Sequence, residues 1–214
     1  LAIAGARELV NAPQDPKSNG EGAYSPHSQG IRSLARSLVK YERWQDLLDS
    51  RTIPWRDIPA DKLLKAYVEA RAHFALGNRQ KAEKAMEDLD KLAKDKAVER
   101  LYPIMATDLK SRLAFAKGET LLGLGLLSEA AEKHYEMQKS DNDPPSYPEV
   151  LFNALGHAYL NSGSKDLAVQ AFQKALTLTH NDRFALAGLE KAGKPAQLTL
   201  PGTQREYQHE SLNG

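Results

Sequence analysis

An all-α stack of helical hairpins is the fold this sequence predicts, and three observations predict it. Four segments share one arrangement of small and large apolar residues, turn residues recur between them at similar separations, and no segment reads as a strand. The clearest segment runs from Phe152 to Ala175: Phe152, Leu155, Tyr159 and Phe172 are large, whereas Gly156, Ala168 and Ala175 are small. Small residues let two helices approach and large ones fill the space between them, while Gly163 tolerates the left-handed conformation that ends a helix. Aligned on the turns, the segments place Glu42, Gly77, Gly125 and Gly163 in register, separated by 35, 48 and 38 residues. Seven residues before each turn stand Ala35, Ala70, Gly118 and Gly156; five after it stand Leu47, Ala82, Ala130 and Ala168.

The elements follow in order. Leu1, Ile3, Ala4, Ala6, Leu9 and Val10 predict a helix over 1–12, and a chain that starts at Leu1 without a leader is expected to be a fragment or a processed form. The polar stretch Pro13 to Ser28, with Asn19-Gly20-Glu21-Gly22 inside it, predicts a long loop. Helices over 28–40 and 42–50 form the first hairpin, the second of them cut short by Ile53-Pro54-Trp55. Helices over 60–76 and 79–94 form the second hairpin, 98–123 and 127–140 the third, and 146–162 and 165–178 the fourth. Asp143-Pro144-Pro145 sets the direction in which the fourth docks, because proline restricts the residue before it. A helix over 182–192 closes a single domain, 1–192, and Pro195, Pro201 and Gly202 mark 193–214 as a tail whose Leu198 and Leu200 are expected to pack as an extended strip.

Composition excludes several function classes. The chain has 214 residues, 41% hydrophobic and 27% charged, which suits a chain that buries a core. Its 29 Lys and Arg against 28 Asp and Glu leave a formal charge of +1, without the cationic surplus that phosphate backbones require. The longest apolar run, Leu121 to Leu127, is far shorter than a membrane span of about 18 residues. With no cysteine there is no disulfide, thiolate site or Cys nucleophile.

The hairpin pattern Phe152 to Ala175, with its weaker copies, resembles the tetratricopeptide repeat, a hairpin of about 34 residues that stacks on its neighbours. The resemblance implies a tetratricopeptide-like, right-handed α-solenoid of about four hairpins plus flanking helices. The stretches Lys40 to Leu48, Asp143 to Val150 and Asn181 to Leu189 are similar to the C-terminal half of longer bacterial repeat proteins, many of them exported. That resemblance favours an exported or periplasmic location. It implies further repeats ahead of this chain, and no assigned reaction.

The residues offer little chemistry. His73, His134 and His157 lie in helices of three different repeats, with His27, His180 and His209 elsewhere. No His-Glu-x-x-His pair, phosphate-cradling loop or nucleophile elbow occurs, so no catalytic residue, cofactor or metal site is expected. His134 is expected to be partly buried between helices, and Trp44 to wedge the shortened first hairpin, while Trp55 suits an interface. The concave side is the better candidate, because the first helix of each hairpin lines it. Counting from the turns places Arg32, Arg36, Tyr67, Arg71, Phe74, Arg112, Phe115, Asn153 and His157 there, together with Glu119 and Leu122. Planar guanidinium forks and rigid rings suit a protein or peptide partner that is acidic or carries a free carboxylate. The expected function is therefore a non-catalytic binding scaffold. The alternative is part of a larger enzyme or metal-binding protein whose active groups lie upstream, which convergence of the histidines on one acidic residue would favour. A truncated first repeat also leaves an apolar end through which the chain is expected to dimerise.

Overall fold

A computed structural model describes residues 2–13, 25–139 and 147–194. Helices α1 (Ala2–Val10) and α2 (Pro26–Lys40) are followed by a five-residue α3 (Trp44–Leu48), then α4 (Pro59–Ala75) and α5 (Arg79–Asp90). After a short 3₁₀ turn come α6 (Tyr102–Ala116), α7 (Thr120–Lys139), α8 (Leu151–Asn161), α9 (Lys165–Leu178) and α10 (Arg183–Lys191). No strand occurs among the described residues. Four hairpins, α2/α3, α4/α5, α6/α7 and α8/α9, stack with α1 against the first and α10 against the last.

The third hairpin corrects the expected register: the helix predicted over 98–123 is broken at Gly118, and Gly125 lies inside α7. Each first helix of a hairpin ends with one pair of bonds, in which the turn residue donates to the carbonyl three back and the next residue to the carbonyl five back. The pair occurs at Glu42, Gly77, Gly118 and Gly163, all with positive φ, and recurs after α10 at Gly193. Helix α10 thus ends as the first helix of a further repeat does. Realignment on Gly118 puts Ser111 seven residues before the turn and Gly123 five after it, so the small-residue rule is met in the corrected register as Gly118 and Ala130 met it in the expected one. A Cβ on Gly123 would sit 2.6 Å from the Phe115 ring, which is why the hairpin needs a glycine there.

Other boundaries moved for local reasons. Helix α2 starts at Pro26, since the Ser25 hydroxyl accepts from Ser28 N and proline suits the first turn. Helix α8 starts at Leu151 instead of 146: Pro148 keeps Tyr147 out of the α region, and Tyr147 to Val150 runs as a non-helical strap. Residues 14–24 of the loop expected over 13–28, the Asp143-Pro144-Pro145 turn and the strip at Leu198 and Leu200 lie outside the described residues.

A single apolar cluster runs through all four hairpins. At its C-terminal end the fully buried Phe172 ring lies between α8 and α10, where a Cβ on Gly156 or Gly188 would come within 2.5 or 2.3 Å of it. At the other end, a Cβ on Gly30 would meet the Val10 backbone at 2.5 Å, so glycine lets α1 lie directly on α2. Trp44 packs against the core as expected of a wedge, and Trp55 packs there too.

Candidate functional site

The first helices of the hairpins enclose a hollow of about 1220 Å³, bounded by α2, α4, α6, α8 and the start of α10, with the end of α7 and the strap closing one side. Arg36, Arg71, Arg112 and His157 each stand six residues before their turn, so one position of the repeat presents a cation three times and an imidazole once. Arg112 was expected two helical turns earlier in its repeat. A slip of seven residues rotates a helix face by only about 20°, which is why Arg112 and Phe115 still line the hollow while Glu119 and Leu122, past the turn, do not.

The floor of the hollow is a buried ionic network. Glu149 Oε1 accepts from Arg71 Nη1 and, at 2.9 Å, from Arg112 Nη2. Arg112 Nε donates to Asp108 Oδ2 at 3.2 Å, and Tyr67 donates its hydroxyl proton to the same oxygen at 2.6 Å. The Tyr67 oxygen in turn accepts from Tyr147 at 2.9 Å and from Arg71 at 3.3 Å. Asp108 is fully buried, Arg71 is 7% exposed and Glu149 20%. Burial alone pushes both phenols up, reinforced at Tyr67 by the Asp108 charge, so both remain protonated donors. Burial also works against the Arg71 charge, but Glu149, Tyr67 and Asp108 outweigh it and hold the guanidinium cationic. Two guanidinium groups and two carboxylates balance, which is the condition under which buried ions are tolerated.

The network ties the strap to three repeats. Tyr147, from the strap, packs edge-on against Tyr67 of α4 with ring centroids 5.4 Å apart, and meets the His134 ring of α7 at a tilt of 45° and 4.8 Å. Arg71 lies 5.8 Å from the ring centre of Trp44, which stands on the wall of the hollow. At α8, Asn153 donates to Asp182, whose other oxygen caps α10 by accepting from Phe184 N at 3.0 Å. Across the opening, Lys40 Nζ of α2 lies 5.2 Å from the centre of the Phe184 ring of α10, joining the first hairpin to the last helix.

Of the residues expected on the concave stripe, Arg36, Arg71, Arg112, Phe115, Asn153 and His157 line the hollow. Tyr67 does not: with no exposed surface it belongs to the core and to the network beneath the wall. Phe74 packs half-buried against the core, and Arg32 stands off the lining. Asp108, Tyr147 and Glu149 were missed. Asp108 falls, in the corrected register, on the stripe position that Tyr67 and Asn153 hold in their repeats, so the slip hid it; for Glu149 no local signal existed.

The histidines are spread over different neighbours. His134, more deeply buried than expected, meets Tyr147; His157 meets Phe172 at 5.0 Å; and His27 donates from Nδ1 to the Val10 carbonyl at 2.9 Å. Burial, with Lys81 nearby, lowers the His73 pKa; burial and Lys191 lower that of His157 against the pull of Glu42. Among the described residues no group of three or more His, Asp or Glu side chains is placed to hold a metal ion, and no helix is long and apolar enough to cross a membrane.

With this geometry in place, comparison with known proteins adds one family. Residues 151–182, the fourth hairpin and the turn after it, match the family model of the tetratricopeptide repeat. Neither a curated protein nor a solved structure matches the chain.

Proposed function

We propose that this helical-repeat chain, with a tetratricopeptide repeat in its last hairpin, is a protein-interaction scaffold that takes an extended segment of a partner in its hollow and catalyses nothing itself. The observation that carries the proposal is the size and wall of the hollow. Small-molecule clefts span about 300–1000 Å³, and a hollow of about 1220 Å³ formed by successive repeats suits a peptide instead. The wall mixes apolar groups (Val39, Trp44, Phe115) with polar side chains (Gln138, Asn153, His157). An extended peptide brings both apolar side chains and backbone polar groups to such a mixed wall.

Selection of a random dodecapeptide library on the immobilised chain tests this, with hydrogen exchange on the selected complexes as the readout. Protection of the first-helix faces around Arg36, Phe115 and His157 is the expected result. Protection confined to the outer helices α5 and α9 would refute the hollow as the binding surface.

A further inference from the structure

The partner's chemistry can be narrowed, on the premise that the hollow binds a peptide. Charges of both signs line the hollow, and each invites a partner of the opposite sign. The contacts they already make withdraw that invitation. The cations on the lining are Arg36, Lys40, Arg71, Arg112 and Lys139. Arg71 and Arg112 share Glu149, and Arg112 also meets Asp108 at 3.2 Å. Lys139 donates to Glu136 at 2.8 Å and stands 4.5 Å from the centre of the Tyr135 ring. Lys40 lies over the Phe184 ring, and Arg36 is engaged as well. Among the carboxylates, Glu149 is held by the two arginines, and Asp182 accepts from Asn153 and from the Phe184 N–H. Glu42 is exposed, so water already solvates it and a partner cation gains little there. Burial and Lys191 lower the His157 pKa, which leaves the imidazole uncharged at neutral pH. A partner charge of either sign must therefore break a standing pair or enter the hollow unpaired, and both oppose binding. What the wall offers freely is uncharged: the Val39, Trp44 and Phe115 side chains and the amides of Gln138 and Asn153.

We propose that the hollow holds an uncharged stretch of a partner chain, its aliphatic or aromatic side chains against Val39, Trp44 and Phe115 and its backbone and neutral polar side chains among Gln138, Asn153 and His157, while the charges of the wall stay with their internal partners. The occupant intersperses apolar residues with Ser, Thr, Asn or Gln. Here complementarity means matching a charge-compensated wall with a segment that brings no charge to it.

The probes are three acetylated, amidated nonapeptides, built from three repeats of Ser-Leu-Gln, of Glu-Leu-Gln and of Lys-Leu-Gln, each titrated calorimetrically into the full chain. Blocked ends remove the terminal charges. The neutral peptide is expected to bind at least about fivefold more tightly than either charged one. Its affinity is expected to hold within about twofold as salt is raised, and its heat of binding to grow more exothermic with temperature, as apolar burial requires. Trp44→Leu keeps an apolar side chain against the core but removes the ring, and is expected to weaken the neutral peptide about fivefold. Lys110→Gln, exposed on α6 away from the lining, is expected to change nothing. A charged peptide that binds as tightly as the neutral one, a neutral affinity that falls further with salt, or Trp44→Leu matching Lys110→Gln overturns the uncharged assignment while leaving the hollow as a peptide site. Binding of none of the three also overturns it, and the library selection then decides separately whether the hollow binds peptides at all.

Discussion

Replacing Glu149 by Gln probes whether the floor network holds the fold together. The substitution keeps the size of the side chain and removes one of two carboxylates that balance two guanidinium groups. Arg112 retains Asp108, but Arg71, almost fully buried, is left with the Tyr67 hydroxyl at 3.3 Å and the Trp44 ring. Breaking a buried pair costs about 3–5 kcal/mol because the surviving charge stays buried, whereas an exposed pair is worth about 0.2–1 kcal/mol. Glu149 is one-fifth exposed and solvent screens part of its charge, which places the expected loss near the lower end, at about 3 kcal/mol. For a chain of this size that lowers Tm by roughly 6–12 °C. Urea unfolding followed by far-UV circular dichroism reads the change as a shift of midpoint at constant slope. Arg71→Met in the Glu149→Gln background should then cost much less than in the parent chain, since the stranded charge is gone. A loss below 1 kcal/mol for Glu149→Gln, or additive losses in the pair, would show that the network is no more than a surface ornament.

Other consequences can be checked alongside it. Gly118→Ala, at a φ of 78°, should destabilise by about 1–2 kcal/mol, while Gly125→Ala, inside α7 with open space around it, should stabilise by roughly 0.5–1 kcal/mol; the reverse order would restore the register expected from sequence. Phe172→Ala, which removes the ring between Gly156 and Gly188, should cost about 3–5 kcal/mol in urea unfolding, and a loss under 1 kcal/mol would mean the ring does not join α10 to the stack. Because His73 and His157 resist protonation in the folded chain, the unfolded chain binds more protons near the ordinary value of 6.5, and stability should fall as pH drops through that value. Comparison of urea midpoints at pH 7.5 and 5.5 reads this, and the double variant His73→Gln/His157→Gln should flatten the difference; a parent chain more stable at pH 5.5 would contradict the sign.

Most of the architecture was legible because it rests on local rules. Small residues at fixed distances from a turn announce close helix approach, and Gly77 and Gly163 stood where the pattern asked. The third hairpin misled because Gly118, Gly123 and Gly125 all offer themselves as a turn, and choosing among them depends on the bonds that close the preceding helix. The resulting slip of two helical turns left the face of α6 nearly unchanged, so Arg112 and Phe115 were placed on the correct wall for a partly wrong reason. The site was less legible than the fold. Tyr67 read as a groove residue because helical periodicity fixes direction and not depth, and it lies one layer too deep to touch a partner. Glu149 was beyond reach, since its role comes from a strap that bends a distant carboxylate back onto two helices.

The approach of Lys40 to the Phe184 ring changes what kind of object this stack is. An open solenoid can be approached along its whole length, and each repeat feels only its neighbours. Here the first hairpin touches the last helix, so the hollow has a closed perimeter at that point and a bound segment would pass beneath a latch. A lysine over an exposed ring is worth about 0.5–1 kcal/mol, so holding the latch open slows capture by only a few-fold. Once a segment is inside, the same contact can re-form over it and adds to the barrier for leaving. Such a latch would slow departure by about the same few-fold factor as arrival, so it would change the pace of exchange and leave the affinity as it was.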